Sequence, residues 1–187
     1  MNQPGMAQRH DLRLHLLVLR CQAGDERAFA TLMEEFGPHI HRYLTGLVGA
    51  DAEDVQQEVW LTVFRSLVTL TNPGAFRTWL YRTTRHRAID HLRRQRRERE
   101  LFVDSETERE LVRSSDVDPL PDIDAADLDT LLAKLSVAHR EVILLRFRDG
   151  LQYAEIALVI GCPVGTVKTR VHHAKLRLHQ LLTRGEP

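Results

Sequence analysis

Leu151-Gln-Tyr-Ala-Glu-Ile-Ala-Leu-Val-Ile-Gly-Cys-Pro-Val-Gly-Thr-Val-Lys-Thr-Arg170 holds two short helical patterns that meet at Gly161. Ile156, Ala157 and Ile160 put apolar or small groups on the inner face of the first helix, and small Ala157 lets the second approach closely. Gly161 and Pro163 break one helix and restart the next. From there Val167, Val171, Ala174, Leu178 and Leu181 recur at three- and four-residue steps, which makes one buried stripe. Thr166, Lys168, Thr169, Arg170, His172, His173 and Arg177 remain outside, and no acid interrupts the run from Val164 to Arg184. A solvated charged face is the plain alternative for any surface helix. With the hinge in front, the pattern points to a helix-turn-helix whose second helix enters a DNA groove.

Outward from this stretch, the charge distribution divides the chain. Its 187 residues suit two small helical domains, and Lys plus Arg balance Asp plus Glu at 26 each. From Arg77 to Arg99 nine arginines face only Asp90 and Glu98, whereas from Glu100 to Asp129 eleven acids face only Arg109 and Arg113. Pro119 and Pro121 oppose a helix in that acidic stretch, which is expected to be a flexible linker. No apolar run is long enough to span a bilayer, and the N-terminus lacks the order of a signal peptide, so a cytoplasmic location without membrane insertion is expected. Cys21 and Cys162 form neither a disulfide framework nor a metal pair, and the ten histidines show no His-x3-His spacing. No metal and no cofactor is expected. Gly161 to Thr169 fails as a phosphate loop because Thr166 and Val167 separate Gly165 from Lys168.

Toward the N-terminus, helices are expected at Leu12 to Leu19 and Arg27 to Phe36, with a third segment from Pro38 to Leu47 ended by Gly49. Asp51-Ala-Glu-Asp54 reads as a helix start in which the Asp51 carboxylate takes an orphan backbone N–H. The buried stripe of this helix is Val55, Val59, Val63 and Leu67, and Asp54, Gln57, Glu58 and Leu61 lie mainly off it. Asn72-Pro-Gly74 suits a tight turn before a long helix with Phe76, Leu80, Thr84, Ala88 and Leu92 inside. Trp79, Tyr81, Arg82, Arg85 and His86 then fall on its flanks. Aromatic rings interleaved with cations are what single-stranded nucleic acid requires. The pattern allows Trp79 to be either core or stacking platform, and it favours core for Tyr81.

Taken together, the two ends resemble the extracytoplasmic-function sigma factors, small dissociable promoter-recognition subunits of bacterial RNA polymerase. Ala23-Gly-Asp-Glu-Arg-Ala-Phe29, Asp51-Ala-Glu-Asp-Val-Gln-Gln-Glu-Val-Trp60, Phe76-Arg-Thr-Trp-Leu-Tyr-Arg82 and Asp90-His-Leu-Arg-Arg94 are similar to region 2 of that family. Leu135 to Phe147, Asp149-Gly-Leu-Gln-Tyr-Ala-Glu-Ile156 and Cys162-Pro-Val-Gly-Thr-Val-Lys168 are similar to region 4. The resemblance implies an all-α chain of two small helical domains joined by the acidic linker. Its divisions are a disordered N-terminus at 1–11, region 2 at 12–99, the linker at 100–126 and region 4 at 127–187. With the sequence ending at Pro187, no further domain is expected behind the recognition helix.

The same resemblance implies partners and roles. Asp54, Gln57, Glu58 and Leu61 would dock on core RNA polymerase. Asn72, Phe76, Trp79, Arg82, Arg85 and His86 would bind the promoter minus-ten element, with a base flipped into the loop and strands held apart beside Trp79. Thr166, Lys168, Thr169, Arg170, His172 and His173 would read the minus-thirty-five element as duplex. The acidic linker would sit in the cleft that nucleic acid later occupies, and an anti-sigma factor would cover the binding faces. Thr83-Thr84, His86 and His173 depart from the family pattern at positions that bear on promoter preference. The implied function is promoter recognition and DNA opening for transcription initiation, without catalysis by this chain. A helix-turn-helix regulator that binds duplex DNA without polymerase is the alternative, but it leaves residues 12–99 unexplained. A metal-dependent nuclease built on Asp51, Asp54 and Glu58 fails because these acids straddle a helix start with no basic or histidine partner on the same face.

Overall fold

The computed structural model describes residues 5–100 and 130–183. Among them there are helices and no strands: α1 Gly5–Gln22, α2 Glu26–Val48, α3 Ala52–Ser66, α4 Phe76–Glu100, α5 Val137–Ile143, α6 Tyr153–Ile160 and α7 Val164–Thr183. The acidic linker falls almost wholly outside the described residues. Helices α1 to α4 form one bundle and α5 to α7 a second, smaller one.

The first bundle closes on the expected stripes. Val55, Val59, Val63 and Leu67 of the α3 stripe are buried, as are Phe76, Leu80, Thr84 and Ala88 on α4. Tyr43 and Tyr81 are fully enclosed, their rings 5.7 Å apart in an edge-to-face pair. Gln22 ties α1 to the α3–α4 connection by donating its amide to the carbonyls of Leu67 at 2.9 Å and Leu70 at 2.8 Å.

Three local expectations are corrected. Helix α1 begins at Gly5, inside the segment expected to be disordered, because Met6, Ala7, Gln8 and Arg9 are themselves helix formers. The two segments expected on either side of Pro38 are one helix, α2. Gly37 has no Cβ to crowd the proline ring, and the Gln56 amide donates to the Gly37 carbonyl at 3.0 Å. Asp51 stands at the start of α3 but caps no backbone N–H. Its Oδ2 accepts instead from Gln95 and from His91 Nε2 at 3.1 Å, so the carboxylate joins α3 to α4.

In the second bundle α5 widens into π turns over Leu144–Arg148 before α6. Ser136 caps α5 through the His139 N–H, and the Glu155 carboxylate accepts from the Gln152 N–H at 2.7 Å to open α6. At the hinge Gly161 is left-handed, with φ 75° and ψ 40°, and its N–H donates to the Ala157 carbonyl at 2.8 Å. A side chain in that conformation costs roughly 1–2 kcal/mol, so Gly161→Ala is expected to lower the stability of this bundle by that amount in a thermal or urea melt. Val167, Val171, Ala174 and Leu178 carry the inner face of α7, and Leu181 is half-buried.

Candidate functional site

Three surfaces collect the candidate residues. On α3, Asp54, Gln57 and Leu61 are exposed and Glu58 is partly so. Glu58 is not unpartnered, because Arg94 of α4 reaches it at 3.2 Å. Gln57 and Leu61 form one wall of an open apolar groove of about 560 Å³. Its other lining residues are Glu26, Phe29, Met33, Trp60 and Phe64. Phe64 is 63% exposed and Leu61 56%, although Phe29 holds Phe64 edge-on at 5.3 Å and Trp60 at 6.0 Å. Large apolar side chains held this open to water mark a surface made for a partner. Sequence reading missed Phe29, Met33 and Phe64. Their signal was present, since Phe64 falls off the buried stripe of α3, and Phe29 and Met33 stand one turn apart on α2.

The second surface is the α3–α4 loop with the first turns of α4. Asn72 is exposed, and its side-chain oxygen accepts from the Gly74 N–H at 3.0 Å, which shapes the turn through Pro73. Phe76 is corrected, for its ring is wholly buried, 5.4 Å from Phe36 and 6.1 Å from Trp79, and offers no surface to a base. Periodicity had already placed Phe76 on the inner face, and that local rule decides. Trp79 is half-buried beside it, packed against the core on one part and open to solvent on the rest. Arg82 and His86 are exposed. Arg85 is held away from solvent, its Nε donating to Glu141 Oε1 at 2.7 Å.

The third surface is the outer side of α7. Lys168 is exposed, and Thr166, Thr169, Arg170, His172 and His173 are half-buried. The Thr169 hydroxyl donates back to the Gly165 carbonyl at 2.9 Å. His173 stacks on His139 of α5, with rings 6.5 Å apart and 11° from parallel, and meets His172 edge-on at 5.4 Å. The helix-turn-helix therefore presents a cationic face in which His173 is anchored from behind. Burial pushes the thiol of Cys21, which lines a smaller pocket with Phe29 and Phe64 beside the α3 groove, up to about 11, with Asp25 adding to the shift. A thiol so protonated is an inert packing group.

An exposed apolar groove, an arginine-bearing helix behind a turn and a helix-turn-helix with a basic outer face stand in one chain, and comparison with known proteins gives the family. The Sigma-70 region 2 family matches residues 32–98 and the Sigma-70 region 4 family matches residues 125–178. The sigma-E factor of Haemophilus influenzae is 33% identical over 169 residues, covering 85% of this chain and 89% of its own. The chain belongs to the extracytoplasmic-function sigma factors. Another member, the sigma factor BldN of Streptomyces coelicolor, is 33% identical over 174 residues, covering 91% of this chain and 66% of that longer relative. Among solved structures, the sigma factor RpoE in complex with the anti-sigma factor NepR from Bartonella quintana superposes with a TM-score of 0.69. It is 25% identical and covers 84% of this chain and 98% of that one. In this sigma factor the region 2 match runs from within α2 through nearly all of α4, and the region 4 match takes in α5, α6 and most of α7. No described helix is long and apolar enough to cross a membrane.

Proposed function

We propose that this chain binds core RNA polymerase through the apolar groove of region 2, reads the minus-ten element with α4 and its preceding loop, and reads the minus-thirty-five element with α7. The exposed groove is the observation that carries this reading. A regulator that only binds duplex DNA has no use for Leu61 and Phe64 held open to water beside Gln57. The apolar lining of the groove supplies burial, and Gln57, with exposed Asp54 one turn before it on α3, a polar rim, the usual anatomy of an interface. Arg82 and His86 face the minus-ten DNA, Trp79 lends its free indole face to a separated base, and Asn72 shapes the loop. Thr166, Lys168, Thr169, Arg170, His172 and His173 face the minus-thirty-five element. The region boundaries proposed are 12–99 and 127–187.

The chain performs no chemistry in this scheme, since the polymerase supplies the active site, and it works in the cytoplasm where polymerase is. An anti-sigma protein is a proposed further partner, as for the similar RpoE. Co-elution of the purified chain with core polymerase tests the reading. A single complex in size exclusion supports it, and tight duplex binding with no polymerase complex would favour the regulator. On the DNA side, Lys168→Ala is expected to weaken binding of the minus-thirty-five duplex across sequences and to reduce the slope of log K against log salt by about 1. An unchanged slope would mean that Lys168 touches no phosphate.

A further inference from the structure

Helix α1 lies outside the segment that matches region 2, which starts at residue 32, and none of the three candidate surfaces uses it. It nevertheless packs along the α3–α4 connection, the loop that carries Asn72. At one end of that contact Gln22 donates to the carbonyls of Leu67 and Leu70. At the other end His15 comes up to the turn at Asn72-Pro-Gly74. A Cβ on Gly74 would stand 3.2 Å from Asn72 Oδ1 and 3.8 Å from His15 Nδ1, so the amide and the imidazole both border the place that a methyl would fill.

The chemistry around that place suits a ligand. Gly74 is not left-handed, as Gly161 is, so the backbone of the turn does not demand a glycine there. What glycine supplies is room, which lets another molecule come close to the main chain. The N–H groups of the turn are used within it, Gly74 on Asn72 Oδ1 at 3.0 Å and Ala75 on the Asn72 carbonyl at 2.9 Å, so recognition falls to side chains. The Asn72 amide nitrogen keeps two N–H donors with no acceptor among the described residues. His15 is half-buried and has no hydrogen-bond or ion-pair partner among the described residues either. Its neutral ring adds one donor and one acceptor. A phosphate offers acceptors only, whereas a mixed set of donors and acceptors matches the edge of a nucleobase.

On the promoter-recognition reading above, we propose that His15 of α1 is a specificity-determining residue for the minus-ten element. With Asn72 it reads the edge of one unstacked base of the separated strand, brought close against Gly74. Only a base out of the stack can present its pairing edge to a turn in this way. Gln22 holds α1 to the loop, so the imidazole is placed by a helix rather than by the loop alone.

The test is binding of the full chain, assembled with core polymerase, to a labelled single strand that carries the minus-ten block of a template it transcribes. Each position of the block is changed in turn to the other three bases and to an abasic site. His15→Ala is expected to weaken binding about three- to tenfold, the range of one hydrogen bond, for the preferred base at one position, and to level the choice among bases there. With the abasic site at that position the native and His15→Ala chains should bind alike, because the contact is already gone. Gly74→Ala should lose the preference at the same position, since its methyl takes the room the base needs. An equal loss on intact and abasic strands would make His15 a brace of the loop or a phosphate contact and overturn the base reading. Base preferences unchanged in His15→Ala, or native preferences in Gly74→Ala, would overturn it as well. A native holoenzyme with no base preference anywhere in the block would instead contradict the promoter-recognition reading on which the proposal rests.

Discussion

Phe64→Glu is expected to lower affinity for core polymerase by roughly 30- to 100-fold, the loss typical of a central aromatic anchor (2 kcal/mol or more), with little change in the melting temperature. The two outcomes separate because Phe64 is 63% exposed and meets Phe29 edge-on rather than entering the buried core. A carboxylate there stays hydrated in the free chain and is stripped of water only when a partner covers the groove. Leu61→Glu should behave in the same way, and Asp54→Lys more weakly, as a rim position. Glu58 is a poorer probe, since reversing its charge also breaks the 3.2 Å pair with Arg94. Binding measured by competition for polymerase, paired with a melt, decides the matter. A lowered melting temperature with unchanged polymerase affinity would return Phe64 to the fold and remove the groove from the interface.

Trp79→Ala should cost about 1–3 kcal/mol of open-complex stability, the range for a base stacked on an aromatic side chain. Trp79 stands one turn before Arg82 and nearly two before Arg85, half-buried, with Phe76 behind it at 6.1 Å and a tilt of 35° between the rings. An indole braced on one side by a core ring is held without freezing out further rotamers on binding. Permanganate footprinting of the melted region would show the loss on duplex promoters, and a pre-melted bubble should restore much of it because the cost of opening is then already met. Equal loss on duplex and bubble templates, together with a lowered melting temperature, would make Trp79 a core residue.

The stripes that fixed the fold were legible because each is a local rule. Val55, Val59 and Val63 repeat at the helical period, and Gly161 sits where only a left-handed residue ends α6. Pro38 misled because its penalty depends on what precedes it and on packing from elsewhere in the chain, and Gln56, whose amide braces the Gly37 carbonyl just before the proline, is distant in sequence. Asp51 misled likewise, since a cap and a cross-helix acceptor have the same residue type and only the position of His91 and Gln95 tells them apart. At the site, exposed polar residues were found from their register, whereas Phe29, Met33 and Phe64 were passed over, since burial is the ordinary fate of a large apolar side chain and composition does not mark the exception. The contact of Glu141 with Tyr43 and Arg85 could not be read at all, because its members are up to 98 residues apart and no periodicity links them.

The central claim, that this chain directs polymerase to promoters, is tested most directly by run-off transcription with purified core polymerase on a library of randomised duplex templates. Transcripts should appear only when the chain is added, from templates that share two sequence blocks at a fixed separation. The Phe64→Glu chain should give few of them. Binding of the chain to duplex DNA with no dependent transcripts, or transcripts from templates that share a single block, would contradict the account.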